Sequence, residues 1–447
     1  MPVERPVPVE RPVPVERPWP LNAPWPLNAP WPLNARGRWG TQVPGLQWDI
    51  MSGTTKSRVR RISRRDLGKI ALASAATLDS AQPIPAREAQ QKYASALDGF
   101  EDKVDISAFD PVLFTKTLHD SAPLRMTFRA GTRAAAEQWQ KTLRAKVVEL
   151  VGGFPGNPAP LQPQTLEVRD FPAYVREKFV FQSRPGAAVL GYLLTPRKSR
   201  TPHAAVICIP GHGRGVDDIV GIDEQGRDRT VKVDYEYDFA VQVAERGLAA
   251  VAIEPMAFGC RRDPVTAAKG ASATACQPAA GSALLLGQTM IGWRSYDVMR
   301  TIDWIATRKE LDPSRVGLMG ISGGGTVTLF AAGIDPRIRA AFASCSLNTF
   351  RDSIMRVSHC IDNYVPGILN WAEMYDIAGL IAPRPFFAES GEKDAIFPIA
   401  ASRSSFARVK HIYEVFGAGD MAGQETFDAP HSFWGKQGLP FLAKHLA

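Results

Sequence analysis

Histidine and cysteine are scarce in this 447-residue chain, at seven and five. None of them falls at the short Cys/His spacings of a zinc motif, so no metal site is expected from the spacing. Nucleotide signatures are missing too. Neither Gly211 to Gly215 nor Gly320 to Gly325 runs into the Lys-Ser/Thr of a P-loop, and the first lacks the last glycine of a dinucleotide fingerprint. No cofactor is expected. An excess of positive charge on the globular part is lacking as well. The net charge is +8, but residues 1 to 90 hold 13 Lys/Arg against 7 Asp/Glu, so +6 of it lies there. That excludes a basic nucleic-acid footprint. At 45% apolar and 22% charged residues, what is present is the composition of a globular protein, long enough for one large or two smaller domains.

The amino end divides in two. Residues 1 to 36 are a tandem hexapeptide array, Val-Glu-Arg-Pro-Val-Pro passing into Trp-Pro-Leu-Asn-Ala-Pro, too rich in proline for a helix or a central strand. A six-residue repeat also corresponds to an in-frame DNA repeat, and Met51 is followed by a leader, so translation is expected to start at Met51. In that leader Lys56 to Lys69 is basic and carries Arg64-Arg65. It is followed by a mildly apolar Ile70 to Leu78, too short to span a bilayer, and by Ile84-Pro85-Ala86. This resembles a Tat export signal. The expectation is export to the periplasm or beyond, without membrane insertion. The resulting divisions are 1–50 (Pro-rich repeat), 51–90 (leader), 91–165 (helical appendage) and 166–447 (main domain). In an exported protein Cys260 and Cys276, which bracket a loop, are the expected disulfide pair. Cys208 and Cys345 fall in predicted core strands as plain buried thiols.

Periodicity predicts a helix capped by Thr132 and running through Trp139, Leu143, Val147 and Leu150 to Gly152-Gly153. Two β runs, Tyr174–Gln182 and Ala188–Leu194, follow as a hairpin. From Ala204 strands and helices alternate. The strands are Ala205–Ile209, Leu248–Ile253, Arg315–Ile321, Ile338–Ala343, Pro385–Glu389 and Ile412–Phe416. The helices are Tyr237–Arg246, Leu284–Arg308, Ile399–Val409 and Lys436–His445. Alternation of this kind implies an α/β fold, a mostly parallel sheet covered on both faces, with ligands at the carboxyl ends of the strands.

Four chemically loaded segments follow predicted strand ends. Gly320-Ile321-Ser322-Gly323-Gly324 is a G-x-S-x-G turn, in which a serine sits at the apex of a strand-to-helix elbow and its crowded neighbours must lack side chains. A serine hydroxyl needs a base to take its proton and donors to receive the oxyanion. The other three segments offer those: Pro210-Gly211-His212-Gly213-Arg214, Gly391-Glu392-Lys393-Asp394 and Pro430-His431-Ser432-Phe433. Of the seven histidines, His119, His203, His411 and His445 lie before the sheet, at strand starts or in the terminal helix. Glu389 and Glu392 compete with Asp394 for the acid. The aromatic segment 346–375, with His359, Tyr364 and Trp371, and Trp434 beyond His431, are candidates for the pocket wall.

Residues from about 170 to 447 resemble the α/β-hydrolase superfamily, in its dienelactone-hydrolase-like and acetyl-xylan-esterase-like bacterial branch. The resemblance rests on P-G-H-G, G-I-S-G-G, G-E-K-D and P-H-S-F in the order nucleophile, acid, histidine. It implies Ser322 as nucleophile, Asp394 as acid and His431 as base, with the oxyanion held by the backbone N–H groups of Gly323 and Arg214. The His212 side chain, in the same loop, is expected to order the turn and is a further candidate for the pocket wall. Dienelactone hydrolases carry cysteine where this chain has serine, which points to ester chemistry. Pro430 stands where glycine is usual before the histidine. The implied activity is hydrolysis of a small-molecule or carbohydrate ester, such as an acetyl group on a plant polysaccharide. Two alternatives share the fold: a serine peptidase of prolyl-oligopeptidase type and a catalytically silent binding protein.

Overall fold

The computed structural model describes residues 95–356 and 359–447. The hexapeptide array, the leader and the expected start at Met51 lie outside the described residues. The strands are β1 Gln164–Asp170, β2 Tyr174–Arg184, β3 Ala187–Pro196, β4 His203–Ile209, β5 Ala249–Ile253, β6 Leu311–Ile321, β7 Ile338–Ser344, β8 Phe386–Gly391 and β9 Ala422–Phe427. The helices are α1 Pro111–Asp120, α2 Arg133–Leu150, α3 Phe239–Glu245, α4 Pro264–Ala267, α5 Cys276–Leu285, α6 Met290–Ile305, α7 Gly323–Ile334, α8 Met374–Gly379, α9 Ile399–Val415 and α10 Gly438–Leu446.

All the strands join one sheet in the order β1-β2-β3-β5-β4-β6-β7-β8-β9. The pairs from β1 to β5 are antiparallel, and every pair from β5 through β4 to β9 is parallel. The reason is visible in β4, where all seven residues are buried. Ala205, Ile207 and Ile209 enter one apolar layer, while Ala204, Val206 and Cys208 enter the other. A strand buried on both faces needs helices on both, and has them. The first layer takes α2, α6, α7, α8 and α9, and the second takes α3 and α10. Trp304 of α6 stacks on Phe179 of β2 at 4.0 Å between ring centroids, tying the antiparallel wing to the helical layer.

Helix α2 is capped by Thr132, whose side chain accepts from the Ala135 N–H at 3.3 Å. Its Ala136, Leu143 and Val147 are fully buried in the first layer, so α2 shares its core with the sheet. Three expectations change. The predicted helix Leu284–Arg308 is two helices, because Gly287 at φ 67° ends α5 and Thr289 caps α6 through the Gly292 N–H at 3.0 Å. The predicted strand Ile412–Phe416 is the last turn of α9. There Val409, Ile412, Tyr413 and Phe416 extend a helical stripe of buried residues, and the last strand is Ala422–Phe427 instead. Strand β1 was not expected: all seven of its residues are exposed, so it carries no core signal.

Candidate active site

The elbow between β6 and α7 sets Ser322 at φ 56°, ψ −123°, a region that a non-glycine residue occupies only when its surroundings force it. The forcing is steric. A Cβ on Gly320 would lie 2.5 Å from the Gly324 carbonyl, and one on Gly324 would fall on the Ile209 carbonyl oxygen of β4. Ser322 is 8% exposed, and its N–H donates to the Ser344 carbonyl at the end of β7 at 3.0 Å.

His431 and Asp394 meet across two strand-end loops. The His431 Nδ1 and Asp394 Oδ2 are 2.7 Å apart, and the other carboxylate oxygen accepts from the Ile396 and Phe397 N–H groups at 2.8 and 2.9 Å. The imidazole lies between the rings of Tyr235 and Phe397, at centroid distances of 5.7 and 5.8 Å. Among the described residues its buried Nε2 has no hydrogen-bond partner, so it is free to accept a proton. Cys345 links the pair to the elbow: it directly follows Ser344, and its sulfur lies within 4.8 Å of both the Asp394 and His431 ligand atoms. Burial pushes the Cys345 thiol up to about 12, so it stays neutral beneath the site.

The loop after β4 corrects one expectation. The Arg214 N–H donates to Asp218 Oδ2 at 2.7 Å, and its guanidinium pairs with the other oxygen of that carboxylate, so this N–H is not open to an oxyanion. The Gly211 N–H is likewise engaged, by Glu236. Among the described residues, His212 and Gly213 retain unpaired N–H groups in this loop, as does Gly323 at the elbow. The loop stands against the elbow serine, since a Cβ on Gly211 would lie 3.0 Å from the Ser322 Cβ.

The remaining candidates separate. The His212 ring covers Gly323, at 3.2 Å from where its Cβ would be. His359 packs edge-on to Phe397 at 5.4 Å, one ring away from His431. Burial lowers it to about 4 and keeps it neutral. Tyr364 lines an apolar cavity of about 660 Å³, with Leu118, Leu284, Phe350 and Ile354, that does not include Ser322. Trp371 packs with Arg125 and Lys146 over its ring at 5.3 and 4.5 Å. Trp434 is held at the sheet edge by stacking on Phe427 and by its indole N–H bond to Glu425 at 3.2 Å. The expected Cys260–Cys276 disulfide does not form. Both thiols are free, Cys260 is exposed, and Cys276 is buried beside Asp362.

Residues that the sequence did not reveal hold the loops. Tyr235 donates from its hydroxyl to the His212 carbonyl at 2.9 Å and accepts at its own carbonyl from the Phe433 N–H at 2.7 Å, joining the oxyanion side to the histidine loop. Glu389 is fully buried and accepts from the Ser344 hydroxyl at 2.7 Å and from the Trp434 and Gly435 N–H groups at 3.0 and 2.8 Å. Burial raises its carboxyl to about 7 against the pull of those donors. No local motif marks either residue, because their partners lie tens of residues away.

A mostly parallel sheet with a serine at the β6–α7 elbow and an Asp–His pair on the loops after β8 and β9 defines an α/β-hydrolase. The chain belongs to the Abhydrolase family, whose profile matches residues 93–440. It is similar to YtaP of Bacillus subtilis (strain 168), named as a hydrolase, with 25% identity over 283 residues, 62% of this chain and 89% of that one. Among solved structures it is similar to a Bacteroides fragilis NCTC 9343 protein named as an acetyl xylan esterase, with a TM-score of 0.61, 21% identity and coverage of 71% and 82%. It is also similar to a glucuronoyl esterase from Solibacter usitatus, with a TM-score of 0.53, 16% identity and coverage of 72% and 97%. At these identities the structural likeness is one of fold. Among the described residues no helix is long and apolar enough to cross a membrane.

Proposed function

We propose that this chain is a serine esterase that hydrolyses carboxylic esters of carbohydrates through an acyl-enzyme, and that it acts after export by its Tat-like leader. The observation that carries the reading is the His431 imidazole, bound to Asp394 through Nδ1 and left with a buried, unpartnered Nε2 on the side of the sheet where the strained Ser322 elbow stands. His431 Nε2 takes the Ser322 Oγ proton as Oγ bonds to the ester carbonyl carbon. The imidazolium, stabilised by Asp394, then gives that proton to the departing alkoxide. Water repeats the sequence on the acyl-enzyme, returning Ser322 and releasing the carboxylic acid. The Gly323 N–H and the unpaired N–H of His212 replace the Gly323/Arg214 pair as oxyanion donors.

The carbohydrate side of the reading rests on the cleft beside the oxyanion loop. Its roughly 490 Å³ are lined by Arg214, Gln225, Asp234 and Tyr235 together with apolar surface such as Val233, a mixed wall that can meet both the hydroxyls and the C–H face of a sugar. The names of the structural relatives point the same way. Labelling with a fluorophosphonate probe tests the nucleophile: wild type is expected to label and Ser322→Ala not to. A panel of 4-nitrophenyl esters, acetylated xylan and a glucuronate methyl ester then reads the substrate. A Ser322→Ala protein that still labels and turns over esters would sink the assignment.

A further inference from the structure

On the far side of the oxyanion loop, four side chains with metal-binding atoms converge from three separate stretches of chain. His212 comes from the loop after β4, Cys276 is the first residue of α5, and Cys360 and Asp362 lie on the segment that follows β7. One ligand atom of each lies within 4.8 Å of every other. We propose that His212 Nε2, Cys276 Sγ, Cys360 Sγ and Asp362 Oδ2 bind one zinc ion, in a closed structural site that fixes the oxyanion loop.

The geometry carries this. Zinc bonds of about 2.3 Å to sulfur and about 2.0–2.1 Å to nitrogen or oxygen give a tetrahedron with edges of roughly 3.3–3.8 Å. The His212 Nε2–Asp362 Oδ2 edge is 3.3 Å, Cys276 Sγ–Asp362 Oδ2 is 3.3 Å and Cys276 Sγ–His212 Nε2 is 3.9 Å. The ligand set, two thiols with an imidazole and a carboxylate, is the kind that selects zinc over harder cations.

The surroundings are those of a supported metal site. Arg294 donates to Asp362 Oδ2 at 2.5 Å and to Cys276 Sγ at 3.5 Å, and is itself anchored on the Met256 carbonyl at 2.7 Å. Asn363 donates to the other Asp362 oxygen at 2.8 Å. Partners of this kind orient ligands and tune a metal. Charge also balances. Binding displaces the two thiol protons to solvent, and two thiolates with one carboxylate are then neutralised by Zn²⁺ and the Arg294 guanidinium around a neutral imidazole. Asp362 and Cys276 are almost wholly buried, so such balance matters. Four protein ligands leave no open position, which assigns the ion to holding structure rather than to activating water. What it holds is His212, whose backbone N–H faces the reaction in the reading above.

The site is tested by its metal, independently of ester hydrolysis. Untagged protein is analysed by inductively coupled plasma mass spectrometry after gel filtration, with one zinc per chain expected. Cys276→Ser and Cys360→Ser are expected to drop to roughly a tenth of that or less, while Ser322→Ala keeps it. Chelator-stripped wild type given Co²⁺ is expected to show tetrahedral d–d bands and a thiolate-to-cobalt charge-transfer band. This needs no variant, should either cysteine variant fail to fold. Absence of both zinc and the cobalt spectrum overturns the site. So does a Cys276–Cys360 disulfide found by mass mapping without reduction, or zinc retained in full by both cysteine variants. Each of these results leaves the Ser322 reading standing.

Discussion

Two carboxylates sit within six residues of each other on the β8 side of the site, and they act through different neighbours. Asp394 touches the His431 imidazole, whereas Glu389 touches only the backbone of the loop that carries His431 and the Ser344 hydroxyl. Asp394→Asn is expected to leave the fold intact, checked by circular dichroism, and to lower turnover on the order of 10⁴-fold, as in serine proteases that lose the orienting acid. The sequence left Glu389 as a rival of Asp394 for the acid, because its position beside the G-E-K-D motif says nothing of N–H groups some 45 residues further on. In the structure it is a positioning residue. Glu389→Gln puts an amide where two N–H groups need acceptors, so it should cost about 1–3 kcal/mol of stability and reduce turnover less than Asp394→Asn. Its pH dependence has a fixed sign. The folded carboxyl binds its proton up to about 7 rather than the ordinary 4.5, so its contribution to stability is complete below about pH 4.5 and is lost as pH rises through 7, by at most about 3 kcal/mol. The urea midpoint of wild type should therefore decline across that window more than that of Glu389→Gln. Equal declines would remove Glu389 from this role.

At the scale of elements, the sequence was legible where a motif and a period agreed. Gly320 to Gly324 marks both the end of a buried strand and the start of a small-residue helix, and the structure puts β6 and α7 there. It was illegible where one short apolar run fits two periods. Ile412-Tyr413-Glu414-Val415-Phe416 has the branched and aromatic residues of a strand, and only its register with Val409 reveals α9. Edge strand β1, exposed throughout, offers nothing to read. The elbow itself yields a comparison of two neighbouring glycines. A methyl on Gly324 would overlap backbone, which cannot yield, whereas one on Gly323 meets only the His212 ring at 3.2 Å. Gly324→Ala should lose about 3 kcal/mol or more in urea unfolding and Gly323→Ala about 1 kcal/mol. The reverse order would mean that the crossing of β4 beneath the elbow is not what demands glycine.

Over the whole molecule, the alternation of strand and helix was sufficient to give the α/β class and to place the functional loops at strand ends. What it could not give was the standing of the helical segment before the sheet, because burial of α2 depends on a face supplied by chain 189 to 242 residues later. That face is specific. Gln140 donates its side-chain amide to the Ala382 carbonyl at 2.7 Å, Arg144 donates to the Gly333 carbonyl at 2.8 Å, and Leu143 and Val147 are fully buried. We propose that residues 91–165 and 166–447 fold as one cooperative unit, and that the material before it, with its Pro-rich array, adds nothing to that unit. A chain beginning at Arg87 should then keep the thermal midpoint and the ester turnover of the full chain, while one beginning at Pro155 should fail to give a cooperative transition. Because a failed truncation can have trivial causes, Leu143→Ala in the full chain supplies the quantitative arm. Removing a side chain buried against the sheet layer should cost 2–5 kcal/mol, on the order of a third of a domain's stability. A single transition, coincident by tryptophan fluorescence and by circular dichroism, is expected for the full chain and for Leu143→Ala alike. Were Leu143→Ala to cost less than about 1 kcal/mol, or the chain from Pro155 to unfold cooperatively with activity intact, α2 would be an appendage after all.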